Sequence, residues 1–378
     1  MEYLICFFVS TLLAYQAKIS KNKTNMIFWS LMSILVTALL AGLRDISIGI
    51  DTSNYFYGSW DRAFTTDLSL GNYLRYYLTI SRGRSELVFA LLEYLVAKLT
   101  GSYNVLLFLV HFSIISCIYI GAFRLKDHCE PELVLLLFYL VYYNHSLNIY
   151  RQYLAMAIVF AALRDIEIGK HFRYLCFVFV GALCHNTCLL AVLPLLIYRT
   201  LYPENKAKKT QKKTSTKRKV MTLLVILVII YSFIPTARLL IARGFLSRKY
   251  LYYLNDEYES LPLMALLFIA TELSAIAVFW KSYRKRNIRA EFYISCSVAF
   301  FLMYLLASRI VYGKRIAAYF SFANLISIAM IVNCQPNRKQ KLLVRFLVLA
   351  IVFVYWVYVF VYRNASSTLP YRSILNLF

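Results

Sequence analysis

Met26-Ile-Phe-Trp-Ser-Leu-Met-Ser-Ile-Leu-Val-Thr-Ala-Leu-Leu-Ala-Gly-Leu-Arg44-Asp45 carries no charge until its last two residues. An apolar run of this length approaches the roughly 20 residues that take a helix across a bilayer. Its abrupt end at Arg-Asp marks an exit into water. The next stretch, Ile46-Ser-Ile-Gly-Ile-Asp-Thr-Ser-Asn-Tyr-Phe-Tyr57, is polar and aromatic. Gly42 and Gly49 permit tight turns around the exit. Arg44, Asp45 and Asp51 set a forked cation and two carboxylates at the boundary, a combination that suits an anionic, hydroxyl-rich ligand. A plain solvated helix end is the blander alternative.

The same kind of run recurs through all 378 residues, 61% of which are hydrophobic and 16% charged. The fold expected is therefore an all-α polytopic membrane protein. Apolar runs predict twelve transmembrane helices, at 3–17, 26–43, 103–123, 132–147, 151–166, 173–186, 188–200, 220–237, 261–280, 291–308, 316–333 and 342–362. The first is read as a retained helix, since no small-residue cleavage site follows it. Most of the eight cysteines fall in or beside apolar runs, which argues for small buried hydrophobes and against a disulfide framework. A net charge of +24 raises the possibility of nucleic acid, but no separate basic domain exists and none is expected to bind.

The basic residues instead lie between apolar runs. Residues 199–219 hold nine Lys or Arg, 281–289 five and 334–345 four. Together with the connections 18–25, 124–131 and 164–173, these are placed on the cytoplasmic side by the positive-inside rule. The chain is then a single transmembrane domain over 1–378, with an external loop at 44–102 and a flexible basic cytoplasmic loop at 201–219. The Lys/Thr-rich run from Lys206 to Lys219 would touch anionic lipid headgroups. Within the external loop, Ser85–Thr100 is apolar but short and carries Glu86 and Glu93. It is expected to form an interfacial or re-entrant helix whose Leu87, Leu91, Leu95 and Leu99 make one greasy stripe.

This topology leaves 16 of the 42 basic residues outside, thirteen of them arginine. Orientation alone predicts no such bias, whereas arginine forks onto phosphate and carboxylate. Several belong to short patterns. Asn144-His-Ser-Leu-Asn-Ile-Tyr-Arg-Gln-Tyr153 lies at an external mouth, and its Arg151-Gln152 opens a helix whose N-terminus favours an anion. His185 breaks an apolar run at the same side. Ser308-Arg-Ile-Val-Tyr-Gly-Lys-Arg315 and Leu369-Pro-Tyr-Arg372 add Arg309, Arg315, Tyr371 and Arg372. These five arginine sites are expected to converge on one ligand. Glu272, mid-helix beside Thr271 and Ser274, is expensive to ionise and is placed outside the main site.

No Walker A, Gly-x-Gly-x-x-Gly, His-Glu-x-x-His, Cys-x-x-Cys or Asp-x-Asp pattern occurs. This argues against an ATPase, a zinc enzyme and a metal-dependent sugar-nucleotide transferase, and leaves no metal or cofactor expected. With Arg44, Gly49, Asp51 and Tyr55, then Asn148-x-x-Arg151-Gln152-x-x-Ala155, then His185 about 35 residues later, the chain resembles the EpsG-like family of Wzy-type O-antigen polymerases. The resemblance covers about residues 26–200, with an echo in Arg309 to Tyr319 and in Pro370-Tyr371.

What it implies is a GT-C-like glycosyltransferase of the bacterial inner membrane. Such an enzyme joins undecaprenyl-pyrophosphate-linked oligosaccharide repeat units at the periplasmic face for O-antigen, capsule or exopolysaccharide. A chain-length regulator protein is an implied partner beside membrane lipids. In metal-free transfer the leaving pyrophosphate needs cations, for which Arg151 and Arg309 are the first candidates. Arg44, Asp45, Tyr55, Asn148, Gln152, Arg315, Tyr371 and Arg372 are expected to bind substrate. Asp51 and His185 are the candidate bases for the acceptor hydroxyl, with Asp51 favoured by its loop's match to the family pattern. A flippase of the lipid-linked unit and an O-antigen ligase are the rival functions. The absence of an internal repeat and the one-sided arginines weigh against the flippase.

Overall fold

The computed structural model describes residues 1–80, 86–203, 215–244, 263–287, 289–306 and 313–375. It is 83% helical, with no strand among the described residues. An isolated antiparallel bridge joins Arg44 to Ser373. The chain opens with α1 (Glu2–Ile19) and α2 (Lys23–Gly42). The expected external loop then forms α3 (Ile50–Tyr55), a π turn (Phe56–Trp60), α4 (Asp61–Thr65), α5 (Leu70–Ile80) and α6 (Leu87–Thr100). After α7 (Tyr103–Arg124) come α8 (Pro131–Phe138), a π turn (Tyr139–Tyr143), α9 (Asn144–Asn148), α10 (Tyr150–Ala161), α11 (Leu163–Glu167) and α12 (His171–Cys184). A 3-10 turn (Asn186–Ala191) leads to α13 (Val192–Leu201) and then α14 (Thr216–Ala242). The remainder is α15 (Leu263–Val278), α16 (Trp280–Arg286), α17 (Ala290–Leu306), α18 (Gly313–Asn333), α19 (Arg338–Trp356) and a closing π turn (Val357–Tyr362).

Over its described residues, each of the twelve apolar runs is thus mainly helical. Among the described residues, three helices are long and apolar enough to cross a membrane: α2, α7 and Arg338–Tyr362. The pair α15 and α16, bent by 83°, makes a fourth if taken as one broken span. The reading of all twelve runs as spans stays an expectation, because several of the helices that form them are shorter than a bilayer core requires. The run at 132–147 is carried by α8, a π turn and α9 in series.

The chain divides into two compact units, each assembled from separate segments. One comprises Met1–Ala162, Cys176–Leu189 and Phe346–Phe378, the other Leu163–Leu175 and Leu190–Arg345. In the first unit, small residues let helices approach closely. A Cβ on Gly42 would sit 2.6 Å from Phe108 Cβ, and one on Gly121 2.4 Å from Phe160 Cδ1, so α2 meets α7 and α7 meets α10 almost backbone to side chain. Ser10 of α1 donates to the Ser33 carbonyl of α2 at 2.7 Å, and Ser33 returns a bond to the Ser10 carbonyl at 2.8 Å. Tyr3, Phe7, Tyr139 and Tyr143 interlock edge-on and stacked in this core. In the second unit, Glu167 accepts a 2.6 Å bond from the Tyr293 hydroxyl and pairs with Arg164. Glu272 of α15 is buried and accepts from Ser297 at 2.9 Å and from Asn324, which balances an otherwise costly buried carboxyl.

Helix α6 follows the expected pattern. Its Leu87, Leu91, Leu95 and Leu99 are 37%, 38%, 42% and 80% exposed, while Phe89, Ala90, Glu93, Val96 and Ala97 are buried on the other face. At about 1.5 Å per residue its 14 residues are shorter than a bilayer core of about 30 Å.

Candidate active site

The helical path through α8 and α9 breaks at Ile149, whose φ of −100° and ψ of 49° leave the helical region, and α10 restarts at Tyr150. Arg151 therefore stands in the first turn of α10, at the positive end of the helix dipole, where the Gln152 and Tyr153 N–H groups donate to the Ile149 carbonyl at 3.1 and 3.2 Å. Its guanidinium is nonetheless buried: only 8% of the residue is exposed. Nη1 donates to the Tyr77 hydroxyl at 2.7 Å and to Glu86 Oε2 at 2.8 Å. The guanidinium carbon lies 4.1 Å from the centre of the Tyr55 ring and 5.4 Å from that of Phe89. Nε is buried with no hydrogen-bond partner among the described residues. The segment 44–102 thus supplies four of the groups around Arg151: Tyr55 from α3, Tyr77 from α5, and Glu86 and Phe89 from the start of α6.

His185 reaches the same carboxylate from α12. Gly181 makes this possible, since a Cβ there would meet Cys188 Sγ at 2.5 Å and the Ala155 carbonyl at 3.1 Å. The small Ala155 and Gly181 thus bring α12 against α10 on the turn that follows Arg151. His185 then leaves the helix just past Cys184, with Nε2 3.8 Å from Glu86 Oε1 and Nδ1 2.7 Å from the Thr187 hydroxyl. Arg151, Glu86 and His185 form one line of charge and imidazole, with Glu86 at its centre and 1% exposed.

A second buried carboxylate lies nearby in α6. Glu93 accepts from Ser59 at 2.8 Å and from the Tyr73 hydroxyl at 2.9 Å. Burial pushes its carboxyl up to about 7, against the lowering effect of those two bonds.

The other sequence-predicted residues gather around the loop base. Gly49 adopts a φ of 90°, which favours glycine, and turns the chain into α3. Asp51 follows, half-buried, its N–H donating to Asn148 Oδ1 at 2.7 Å. Arg44 is fully buried and donates to the carbonyls of Ala41 at 3.0 Å and Leu147 at 2.9 Å. Gln152 is buried in the first turn of α10. The C-terminal tail docks here. The Asp45 N–H donates to the Arg372 carbonyl at 2.9 Å, and the buried Tyr371 hydroxyl donates to the Leu40 carbonyl at 2.8 Å. Asp45 Oδ1 accepts from the Ser47 N–H at 2.9 Å, and Ser47 holds its carboxyl below the usual carboxylate range, with Arg372 adding to the effect. Arg309 lies outside the described residues. Arg315 lies in the first turn of α18 and belongs to the other unit.

Glu86, Tyr77 and Phe89 are participants that sequence reasoning did not assign. Glu86 was visible as a carboxylate opening a short amphipathic helix, but its partner lies 65 positions away. Among the described residues, no group of three or more His, Cys, Asp or Glu is placed to hold a metal ion.

The EpsG family, a Wzy-like polymerase family, matches residues 26–373. No curated protein and no solved structure matches the chain. With nearly its whole length covered, from α2 through the docked C-terminal tail, the chain belongs to the EpsG family and has a polymerase-like role in polysaccharide biosynthesis.

Proposed function

We propose that this protein polymerises lipid-diphosphate-linked oligosaccharide repeat units by metal-independent glycosyl transfer at the external membrane face. The observation that carries the reading is Arg151. A guanidinium at a helix N-terminus, clamped between two aromatic rings and retaining a buried, unpartnered Nε, is preorganised for an anion. The acceptor hydroxyl forms the new C–O bond as the anomeric C–O bond to the diphosphate breaks. The leaving electron pair then comes to rest on phosphate oxygens beside Arg151. One positioned donor of this kind is worth about 2.7–4 kcal/mol in a transition state.

His185 is the base in this scheme, because it stands with Arg151 around one carboxylate. Asp51 and Asn148 shape the neighbouring loop, and Tyr55 presents a flat ring beside the cation. Arg44, with its donors on two carbonyls, clamps the end of α2 to α9, and Tyr371 and Arg372 fasten the tail to that clamp. The donor lipid is undecaprenyl diphosphate, as the resemblance implies, and the active face is periplasmic. Deleting the gene in its native strain tests the reading by surface-glycan banding. Glycan limited to a single repeat unit is expected. Loss of all glycan would indicate a flippase, and polymer left unattached to its final acceptor would indicate a ligase.

A further inference from the structure

Glu86 stands between the two chemical ends of the proposed site. Oε2 accepts from Arg151 Nη1 at 2.8 Å, and Oε1 lies 3.8 Å from His185 Nε2. With 1% of the residue exposed, water screens neither interaction. A carboxylate facing Nε2 favours the tautomer with its hydrogen there, which leaves Nδ1 as the lone pair of the neutral ring. Nδ1 lies 2.7 Å from the Thr187 hydroxyl, so a hydroxyl already occupies the place an acceptor sugar would take. Arg151 is meanwhile both the partner of Glu86 and the group a diphosphate requires. The two anions therefore compete for one guanidinium.

Resting on the polymerase reading, we infer that Glu86 is a positioning residue that couples donor binding to the strength of the base. When the donor diphosphate engages Arg151, Glu86 loses its cation and closes on His185 Nε2–H. An imidazole whose carboxylate neighbour is no longer neutralised holds a proton more tightly. The acceptor O–H proton passes to His185 Nδ1, the resulting imidazolium faces Glu86, and the electron pair leaves with the lipid diphosphate held by Arg151. The base is thus weak in the empty enzyme and strong when the donor is in place. Among the described residues, the charged or titratable groups that face the Glu86–His185 pair include Arg151 of α10, Tyr77 of α5 through Arg151, Tyr55 of α3 and Glu93 of α6 on the same cation, and Cys184 of α12.

Calorimetric titration of citronellyl methyl diphosphate into the full-length protein in detergent tests this, because that diester has no ionisation near neutral pH. Repeating the titration at pH 7 in buffers of different ionisation enthalpy counts the protons exchanged. Wild type is expected to take up a fraction of a proton per ligand bound, and H185Q none. E86Q should bind about five- to tenfold tighter, since the competing charge is gone, yet take up less than about half the protons of wild type. E86D, which restores the carboxylate, should recover the uptake. Equal uptake in E86Q and wild type, or no uptake in wild type, overturns the coupling and leaves the polymerase reading standing. Absence of binding, or binding unchanged by Arg151→Gln, overturns the polymerase site itself.

Discussion

Replacing Arg151 by lysine keeps the charge and removes the shape. Lysine can still reach Glu86 Oε2, now 2.8 Å from Nη1, so the 1%-exposed carboxylate keeps a cation and the fold is retained. What disappears is the fork that meets two phosphate oxygens, and the flat contact with Tyr55 at 4.1 Å and Phe89 at 5.4 Å. Loss of one transition-state donor costs about 2.7–4 kcal/mol, so polymerisation should fall roughly a hundred- to a thousandfold. Arg151→Ala is the poorer probe, because it strands Glu86 unpaired and costs about 3–5 kcal/mol of stability. The assay is the rate of multi-repeat glycan formation in membranes containing equal amounts of wild type and Arg151→Lys. Rates within about threefold of each other, well under 1 kcal/mol, would refute the forked contact and reduce Arg151 to a point charge.

Other consequences follow from particular residues. Glu93 has a carboxyl raised from 4.5 to about 7 in the folded protein, so its contribution is complete below about pH 4.5 and is lost as pH rises through about 7. That difference is on the order of 3 kcal/mol. Melting temperatures across this range should fall with pH in wild type and stay flatter in Glu93→Gln, and equal slopes would remove Glu93 from the balance. Gly42→Leu should destabilise by about 1–3 kcal/mol or more, since its Cβ meets Phe108 Cβ at 2.6 Å. Phe108→Ala in the same chain should recover part of the loss, and thermal melting of the pair checks it. In a cysteine-free background, cysteines replacing Asp61 and Ser247 should label from outside intact cells, and those replacing Lys209 and Arg286 only after permeabilisation. Labelling at 209 but not at 61 would reverse the orientation.

The sequence showed most where one residue type dominates a whole segment. Apolar runs located the longer helices to within a few residues but not α3, α4 and α5, and the four-residue leucine spacing located the exposed stripe of α6. The Arg151-Gln152 helix start was also visible, because a charged pair ending an aromatic stretch is a local signal. The partner of Arg151 was not visible. Glu86 lies in another helix, and nothing local distinguishes it from Glu93, whose hydrogen bonds to Ser59 and Tyr73 serve a different cluster. Arg44 illustrates the opposite difficulty. An arginine after an apolar run looks solvent-facing, yet the carbonyls of Ala41 and Leu147, freed where α2 and α9 end, draw it fully inside. Ala155 and Gly181 could be recognised as small residues, but the close approach they permit appears once α10 and α12 are packed.

Polymerisation by the purified protein is the most direct test of the proposed chemistry. In liposomes supplied with lipid-linked repeat units and no other protein, the chain should build lipid-borne glycans of two, three and more repeats. One lipid diphosphate should be released for each bond formed, and Arg151→Lys should suppress both together. Repeat units that remain single, whether they stay in place or cross to the other leaflet, would contradict it.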